Sequence, residues 1–318
     1  MGSTLAGFPA CSRILVDQLP MFTPEEAMQT SVDCIPCFVR QELDTARACS
    51  KEPTAHEWLV RDVLRLLSEL GLDRSPPVIV QMIHRRLRKL TGVEDPYAAD
   101  KERFDLMAEE LLPGYARKVA AVDDPLGLAV RLAIAGNVID LGAKTGLTED
   151  DARRAIDGAA AEPIFGDLEA FRRRAEKAER ILYLADNAGE VFFDRLLIER
   201  LPAGRVTLAV RGAPVINDAT MTDACNAGLT EIAEVIDNGS DAPGTVLADC
   251  SADFVRRFRE ADLIIAKGQG NYETLCEEAG PLFFLFRVKC PAVAAQAGAP
   301  VGAHMLVGPA IAAGAPST

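Results

Sequence analysis

A chain of 318 residues, 49% hydrophobic and 25% charged, is long enough to bury a large core and to divide into two domains. Its 34 Lys plus Arg against 47 Asp plus Glu leave a net charge of −13, which argues against duplex nucleic acid or an anionic membrane surface as partner; an anionic ligand must be held by a local cation. No run of about 18 apolar residues occurs and the first 20 residues lack a basic start leading into a long apolar stretch, so neither a membrane span nor a signal peptide is expected and the chain reads as cytoplasmic.

From about Pro24 to Glu179 nearly every segment has helical period, which sets an N-terminal all-helical domain over residues 20–178. Thr54 and Glu57 form a capping-box pattern ahead of WLVRDVLRLLSEL, which Gly71 is placed to end. Ser75 with Pro76 and Pro77 starts the next helix, since proline is tolerated in a first turn whose N–H groups have no partner in any case. Further helices are expected over Tyr97–Ala121, Pro125–Leu141, Glu149–Ala160 and Leu168–Ala178.

Residues 179–312 read differently. Short apolar runs at Ile181–Ala185, Val206–Val210, Glu234–Ile236, Leu263–Ala266, Leu282–Val288 and His304–Val307 alternate with amphipathic stretches at Glu190–Leu201, Ala219–Ala227, Ser251–Glu260 and Tyr272–Ala279. That alternation predicts an α/β fold with a Rossmann-like, mostly parallel sheet covered on both faces. In such sheets ligands bind beyond the carboxyl ends of the strands, where Asp186, Asn217 with Asp218, and Lys267 would all fall.

Those loops suggest a chemistry. Asp186, Asn187 and Asp218 are hard oxygen ligands suited to magnesium or manganese, ions that also bind phosphate oxygens, while cobalt or nickel exchange readily into such sites. Only three histidines occur, none near these loops, which argues against a histidine-type zinc site. Lys267 supplies positive charge for a phosphoryl oxygen; Gly268, Gly270 and Gly189 let backbone N–H groups approach it, and Asn217, Asn271 and Glu273 flank the same pocket. The pieces together resemble a phosphoryl-transfer site. Each has a plainer reading: Asp or Asn after a strand is a common N-cap, Glu190 and Asp194 fit first-turn and exposed helix positions, and Asn271 fits a cap.

At these residues the chain resembles the metal-dependent damage-control phosphatases, long catalogued as domain of unknown function eighty-nine. The matching patterns are CIPC at Cys34–Cys37, GNVID at Gly136–Asp140, DNAGE at Asp186–Glu190, NDAT at Asn217–Thr220 and KGQGN at Lys267–Asn271, a resemblance spanning roughly Asp33 to Pro291. It implies a Rossmann-like sheet domain joined to a helical one, and metal-dependent hydrolysis of phosphate monoesters such as sugar phosphates or phosphopantetheine-type metabolites. Carried over, Asp186, Asn187 and Asp218 are the metal ligands and Lys267 a phosphate contact, with Asn137 and Asp140 reaching the cleft one helical turn apart. The CxxC pair places the chain beside the mainly prokaryotic branch.

The reading is thus a phosphatase of small phosphorylated metabolites working through one divalent cation. Two nucleophiles stay open: a water at the cation deprotonated by Glu190 or Asp140, or an aspartate acting covalently. The alternatives are a noncatalytic phosphometabolite-binding protein and an S-adenosylmethionine-dependent methyltransferase; the latter usually needs two or three glycines where LYLADNAGE has one. Cys34 and Cys37 have half the spacing of a zinc site, with Cys290 a third thiol at a distance; buried thiols explain them as well.

Overall fold

The structure, a computed structural model, describes residues 28–136 and 149–309. Helices α1 (Cys34–Cys49), α2 (Pro53–Glu69) and α3 (Pro76–Thr91) close around Phe38, Leu59, Ile79, Ile83 and Leu87. Ser75 holds the N-cap of α3 with proline in its first turn, as the sequence predicts. The Thr54–Glu57 capping box does not form. Helix α2 starts two residues earlier, at Pro53, because the fixed φ of a proline suits the first helical position; Glu52 becomes the N-cap, without a side-chain bond.

Next come α4 (Ala98–Ala121), α5 (Pro125–Ala135), α6 (Glu149–Ala161), strand β1 (Ile164–Gly166) and α7 (Leu168–Lys177). Strand β1 corrects the expectation of helix throughout this stretch: three residues are too few to carry an alternating pattern, and the strand exists because a sheet edge pairs with it. Its partner is the last strand, β7 (His304–Val307), in parallel register from Ile164 opposite His304 to Gly166 opposite Leu306.

The remaining elements are β2 (Ile181–Leu184), α8 (Glu190–Ile198), β3 (Val206–Val210), α9 (Met221–Asn226), β4 (Glu234–Asp237), α10 (Ala252–Glu260), β5 (Leu263–Lys267), α11 (Gly268–Leu275), β6 (Leu282–Arg287) and α12 (Pro291–Ala297). The seven strands run in the order β1-β7-β6-β5-β2-β3-β4, all neighbours parallel except the β6–β7 pair. The α/β, mostly parallel architecture is therefore as expected. From β2 the chain moves outward to β3 and β4, then returns to the other side of β2 as β5. This reversal makes the β2–β5 junction the switch point, where helices diverge and leave a crevice.

Alternation along the strands explains the two-sided burial. Ile181 and Tyr183 of β2 face α4, α5 and α8 in one apolar cluster, while Leu182 and Leu184 face α10, α11 and α12 in another. A strand apolar on both faces is readable as a short continuous run. Helix α11 is the element most displaced from expectation. It begins at Gly268, directly after β5, and not at Tyr272, so Asn271 lies inside the helix and is not its cap. The positive φ of Gly268 (79°) lets the chain turn from strand to helix without a loop.

Candidate functional site

The loops after β2 and β3 run side by side at the switch point. Asn187 and Asp218 form an isolated antiparallel bridge, flanked by Ala188 N donating to Asn217 O at 2.9 Å and Ala219 N donating to Asp186 O at 2.8 Å. Three residues expected to share a cation thus come from two loops tied together by backbone bonds. Just before Asn217, Ile216 takes a φ of 46°, a left-handed conformation that β-branched residues rarely adopt. Its side chain packs on the α1–α3 cluster, and strain of this kind persists where the surroundings over-determine it.

A chain of charged side chains lies beneath the rim. Asn187 Nδ2 donates to Asp186 Oδ2 (2.8 Å) and Glu190 Oε2 (3.0 Å), so its Oδ1 is the atom left to serve a cation. Lys267 is 0% exposed. Its Nζ donates to Glu190 Oε1 at 2.7 Å, Asp194 Oδ1 at 2.6 Å and the Ala133 carbonyl at 2.8 Å. Tyr183 donates its hydroxyl to the same Asp194 oxygen. The sequence reads Lys267 as a phosphate contact; in the fold its ammonium is bonded to these three groups, because β5 is central and its last side chain points into the layer between sheet and α8. Glu190 and Asp194, which also fit exposed helix positions in the sequence, are buried, since α8 is enclosed on nearly every side.

On the other side of the crevice Arg211 Nε donates to Asp218 Oδ2 at 2.7 Å in a pair buried on both sides. Asn271 ties this pair to the strand ends: its Nδ2 donates to Lys267 O (2.7 Å) and Ala185 O (3.2 Å), and its Oδ1 accepts from Thr245 (2.8 Å) and Arg211 (3.5 Å). It braces the β2–β5 junction. Glu273 is buried and accepts from Gln269 Nε2 at 2.8 Å; burial pushes its carboxyl up to about 7.

Glycines fit as close-approach positions. A Cβ on Gly268 would stand 1.9 Å from Asp186 Oδ2, and one on Gly270 would stand 2.2 Å from the Pro243 carbonyl. Gly189, at φ 72°, abuts Phe104, and its N–H donates to Asp105 Oδ1 at 2.8 Å, so that donor serves α4 and not an incoming anion. Asn217 is buried with Nδ2 lacking a partner, a donor left over for a ligand oxygen. Asn137 and Asp140 lie outside the described residues. Cys290 lies 3.7 Å from Gln269 Nε2, and burial raises the Cys34 thiol, with Glu273, Cys290 and Cys37 adding to the effect.

The electrostatics favour a hard cation. Among the described hydrogen-bonded groups here, four carboxyls (Asp186, Glu190, Asp194, Asp218) stand with two cations (Lys267, Arg211), and the charge of Lys289 also acts on Asp186 and Asp218. Without such an ion burial pushes Asp186 well above the usual carboxylate range, with Glu190 and Asp218 adding to the rise. Burial likewise raises Asp218 against the pull of Arg211, and raises Asp194 to about 6 against that of Lys267. No group of three or more His, Cys, Asp or Glu among the described residues is arranged to hold a metal. The expected set has two carboxylates and an amide, and hard cations of this kind keep several water or substrate oxygens as their other ligands.

Comparison with known proteins decides the family. The model of the damage-control phosphatase ARMT1-like domain matches residues 30–305. The chain belongs to the damage-control phosphatase family. Among related proteins, this family member is 34% identical over 298 residues to an uncharacterised protein of Methanocaldococcus jannaschii, covering 89% of this chain and 96% of that protein. It is 33% identical to a damage-control phosphatase of Pyrococcus horikoshii (87% and 96% covered) and 34% identical to one of Archaeoglobus fulgidus (86% and 97% covered). The crystal structure of a DUF89 family protein from Pyrococcus horikoshii superposes with a TM-score of 0.82 at 32% identity, covering 88% of this chain and 99% of that one.

Two residues at the site of this damage-control phosphatase family member escape the sequence reading. Arg211 comes directly after β3, so the rule that singled out Asp186, attention to the residues just beyond a strand end, reaches it. Asp105, which holds Gly189 and accepts from Asn226 Nδ2 at 3.1 Å, carries no such signal: it lies mid-helix in α4, 84 residues away from Gly189.

Proposed function

We propose that this chain is a phosphatase hydrolysing small phosphate monoesters, sugar phosphates and phosphopantetheine-like metabolites among them, with the help of one divalent cation held by Asp186, Asn187 and Asp218. The observation that carries the reading is the bridge between Asn187 and Asp218 at the switch point, which brings the two loops carrying two carboxylates and an amide side by side. The names of the Pyrococcus horikoshii and Archaeoglobus fulgidus relatives agree with it. Magnesium, manganese, cobalt or nickel suits the donor set.

Each residue then has a task. When bound, the cation supplies neutralisation of charge developing on the phosphoryl oxygens and orients the group for in-line attack. Asn217 Nδ2, buried without a partner, is the donor available to a phosphoryl oxygen. Lys267 and Glu190 position Asn187 from below, Lys267 by holding Glu190 and Glu190 by accepting from the amide. Arg211 fixes the Asp218 carboxylate and Asn271 keeps the strand ends at the spacing the crevice needs. The reading is tested by phosphate release from a panel of sugar phosphates, nucleotides and pantetheine phosphates with each of the four metals. Turnover that needs metal supports it, and no turnover across the panel favours the binding-protein alternative.

A further inference from the structure

Both loops that carry the Asp186, Asn187 and Asp218 set are gripped from the helical side by α4. Asp105 accepts the Gly189 N–H at Oδ1 (2.8 Å), and Gly189 stands two residues past Asn187. Lys101 lies one turn earlier on the same face of α4, with Nζ 3.1 Å from Asp223 Oδ2. That carboxyl oxygen also accepts the N–H and the hydroxyl of Thr220, at 2.6 and 2.7 Å, and Thr220 stands two residues past Asp218. The other oxygen of Asp105 accepts from Asn226 Nδ2 at 3.1 Å, at the far end of α9, the helix that Thr220 and Asp223 cap.

These contacts are made in the interior. Lys101, Asp105 and Asp223 are all buried, charged groups that stay folded in only because each finds a partner. The fit leaves no slack, since at a φ of 72° a Cβ on Gly189 would stand 2.9 Å from Phe104 Cβ of the same helix. The Asn187–Asp218 bridge sets the two loops relative to each other. Helix α4, whose Phe104, Ala108 and Leu111 sit in the larger apolar cluster, sets the joined loops relative to the core.

We propose that Lys101 and Asp105 are positioning residues, a two-point clamp on α4 that fixes where the loops after β2 and β3 present Asp186, Asn187 and Asp218 to a cation. Each acts through another residue, Asp105 through Gly189 and Lys101 through Asp223 and Thr220. The proposal rests on the cation reading above and adds to it the device that sets the spacing of the donors. Without the Asp105 acceptor the buried Gly189 N–H lacks a partner, and the loop must shift to find one, carrying Asn187 with it. Without the Lys101 charge, Asp223 is left buried beside no cation of α4, and the Thr220 cap that closes the Asp218 loop loosens.

The experiment is manganese titration of the full chain by calorimetry, with the thermal midpoint of the metal-free protein measured alongside. Asp105→Ala is expected to weaken manganese binding about tenfold or more, the size typical of residues that orient metal ligands without being ligands. Asp105→Asn, whose carbonyl oxygen still accepts the Gly189 N–H, stays within about threefold of wild type. Leu111→Ala, on the same helix but buried in the core, lowers the thermal midpoint and leaves manganese affinity within about twofold, which separates positioning from general stability. Lys101→Met is expected to match Asp105→Ala and carries the test if Asp105→Ala does not fold. Manganese affinity within about twofold of wild type in Asp105→Ala or Lys101→Met overturns the proposal, as does Asp105→Asn binding no better than Asp105→Ala, or an equal loss in Leu111→Ala. A wild-type chain that binds no manganese overturns the cation reading itself and the proposal with it.

Discussion

Gly268 and Asp186 meet so closely that a single added carbon on the glycine would lie 1.9 Å from Asp186 Oδ2. The carboxylate at the end of β2 is thus held by the bare backbone at the end of β5, at a φ of 79° that an L side chain seldom adopts. Gly268→Ala is expected to displace Asp186 and to add backbone strain of about 1–2 kcal/mol. Manganese titration of the variant should show affinity reduced at least tenfold (~1.4 kcal/mol), with a folded protein by circular dichroism. Wild-type affinity in the variant would mean that Asp186 is not a ligand.

Lys267 is the keystone of the buried charges. Replacing it with methionine keeps its length and leaves Glu190 and Asp194 facing each other without compensation, so Lys267→Met is expected to cost about 3–5 kcal/mol by urea denaturation. A loss under about 1 kcal/mol, typical of exposed pairs, would show that the network is not rigidly held.

Far from the crevice, Glu42 of α1 is buried with both carboxyl oxygens lacking partners. Burial, with Asp62 adding to it, raises this carboxyl from 4.5 to about 8. The folded protein therefore keeps a proton that the unfolded chain gives up. Its favourable effect on stability is complete below pH 4.5, shrinks as the pH rises toward 8, and is gone above that. Glu42→Gln removes this slope. Urea denaturation at pH 5 and 8.5 should show the variant gaining on wild type by roughly 1–3 kcal/mol between the two; parallel curves would refute it.

Manganese should act as a stabilising ligand that competes with protons. At about a hundredfold excess over its dissociation constant it adds roughly 2.7 kcal/mol to the stability of the folded state. Because Asp186 and Asp218 hold protons more tightly than usual without a cation, the affinity should fall as the pH is lowered. Thermal shift with and without chelator at several pH values checks both points; a pH-independent shift would move the binding site elsewhere.

How much is legible in the sequence depends on where the information lies. Strands buried on both faces, such as ILYL at Ile181–Leu184, announce themselves as apolar runs, and the residues after them mark the carboxyl edge of the sheet. The position of Asp186, Asn187 and Asp218 at that edge is readable for that reason. What escapes depends on pairings through space. Whether Lys267 faces the crevice or the layer beneath is decided by Asp194 and the Ala133 carbonyl, 73 and 134 residues away along the chain. Asp194 resembles a solvated helix position in the sequence because the burial of α8 on all sides is a property of α4 and α5 packing on it. β1 is too short to show a period, and α11 replaces a glycine loop because one positive φ suffices to turn strand into helix.

The central claim is tested most directly by phosphate release from p-nitrophenyl phosphate by chelator-stripped protein as manganese is added back, comparing wild type with Asp186→Asn. Activity should rise saturably with manganese in the wild type and stay at least a hundredfold lower in the variant (~2.7 kcal/mol) at the same metal concentration. Turnover by the stripped wild type without metal, or equal activation of Asp186→Asn, would contradict the account.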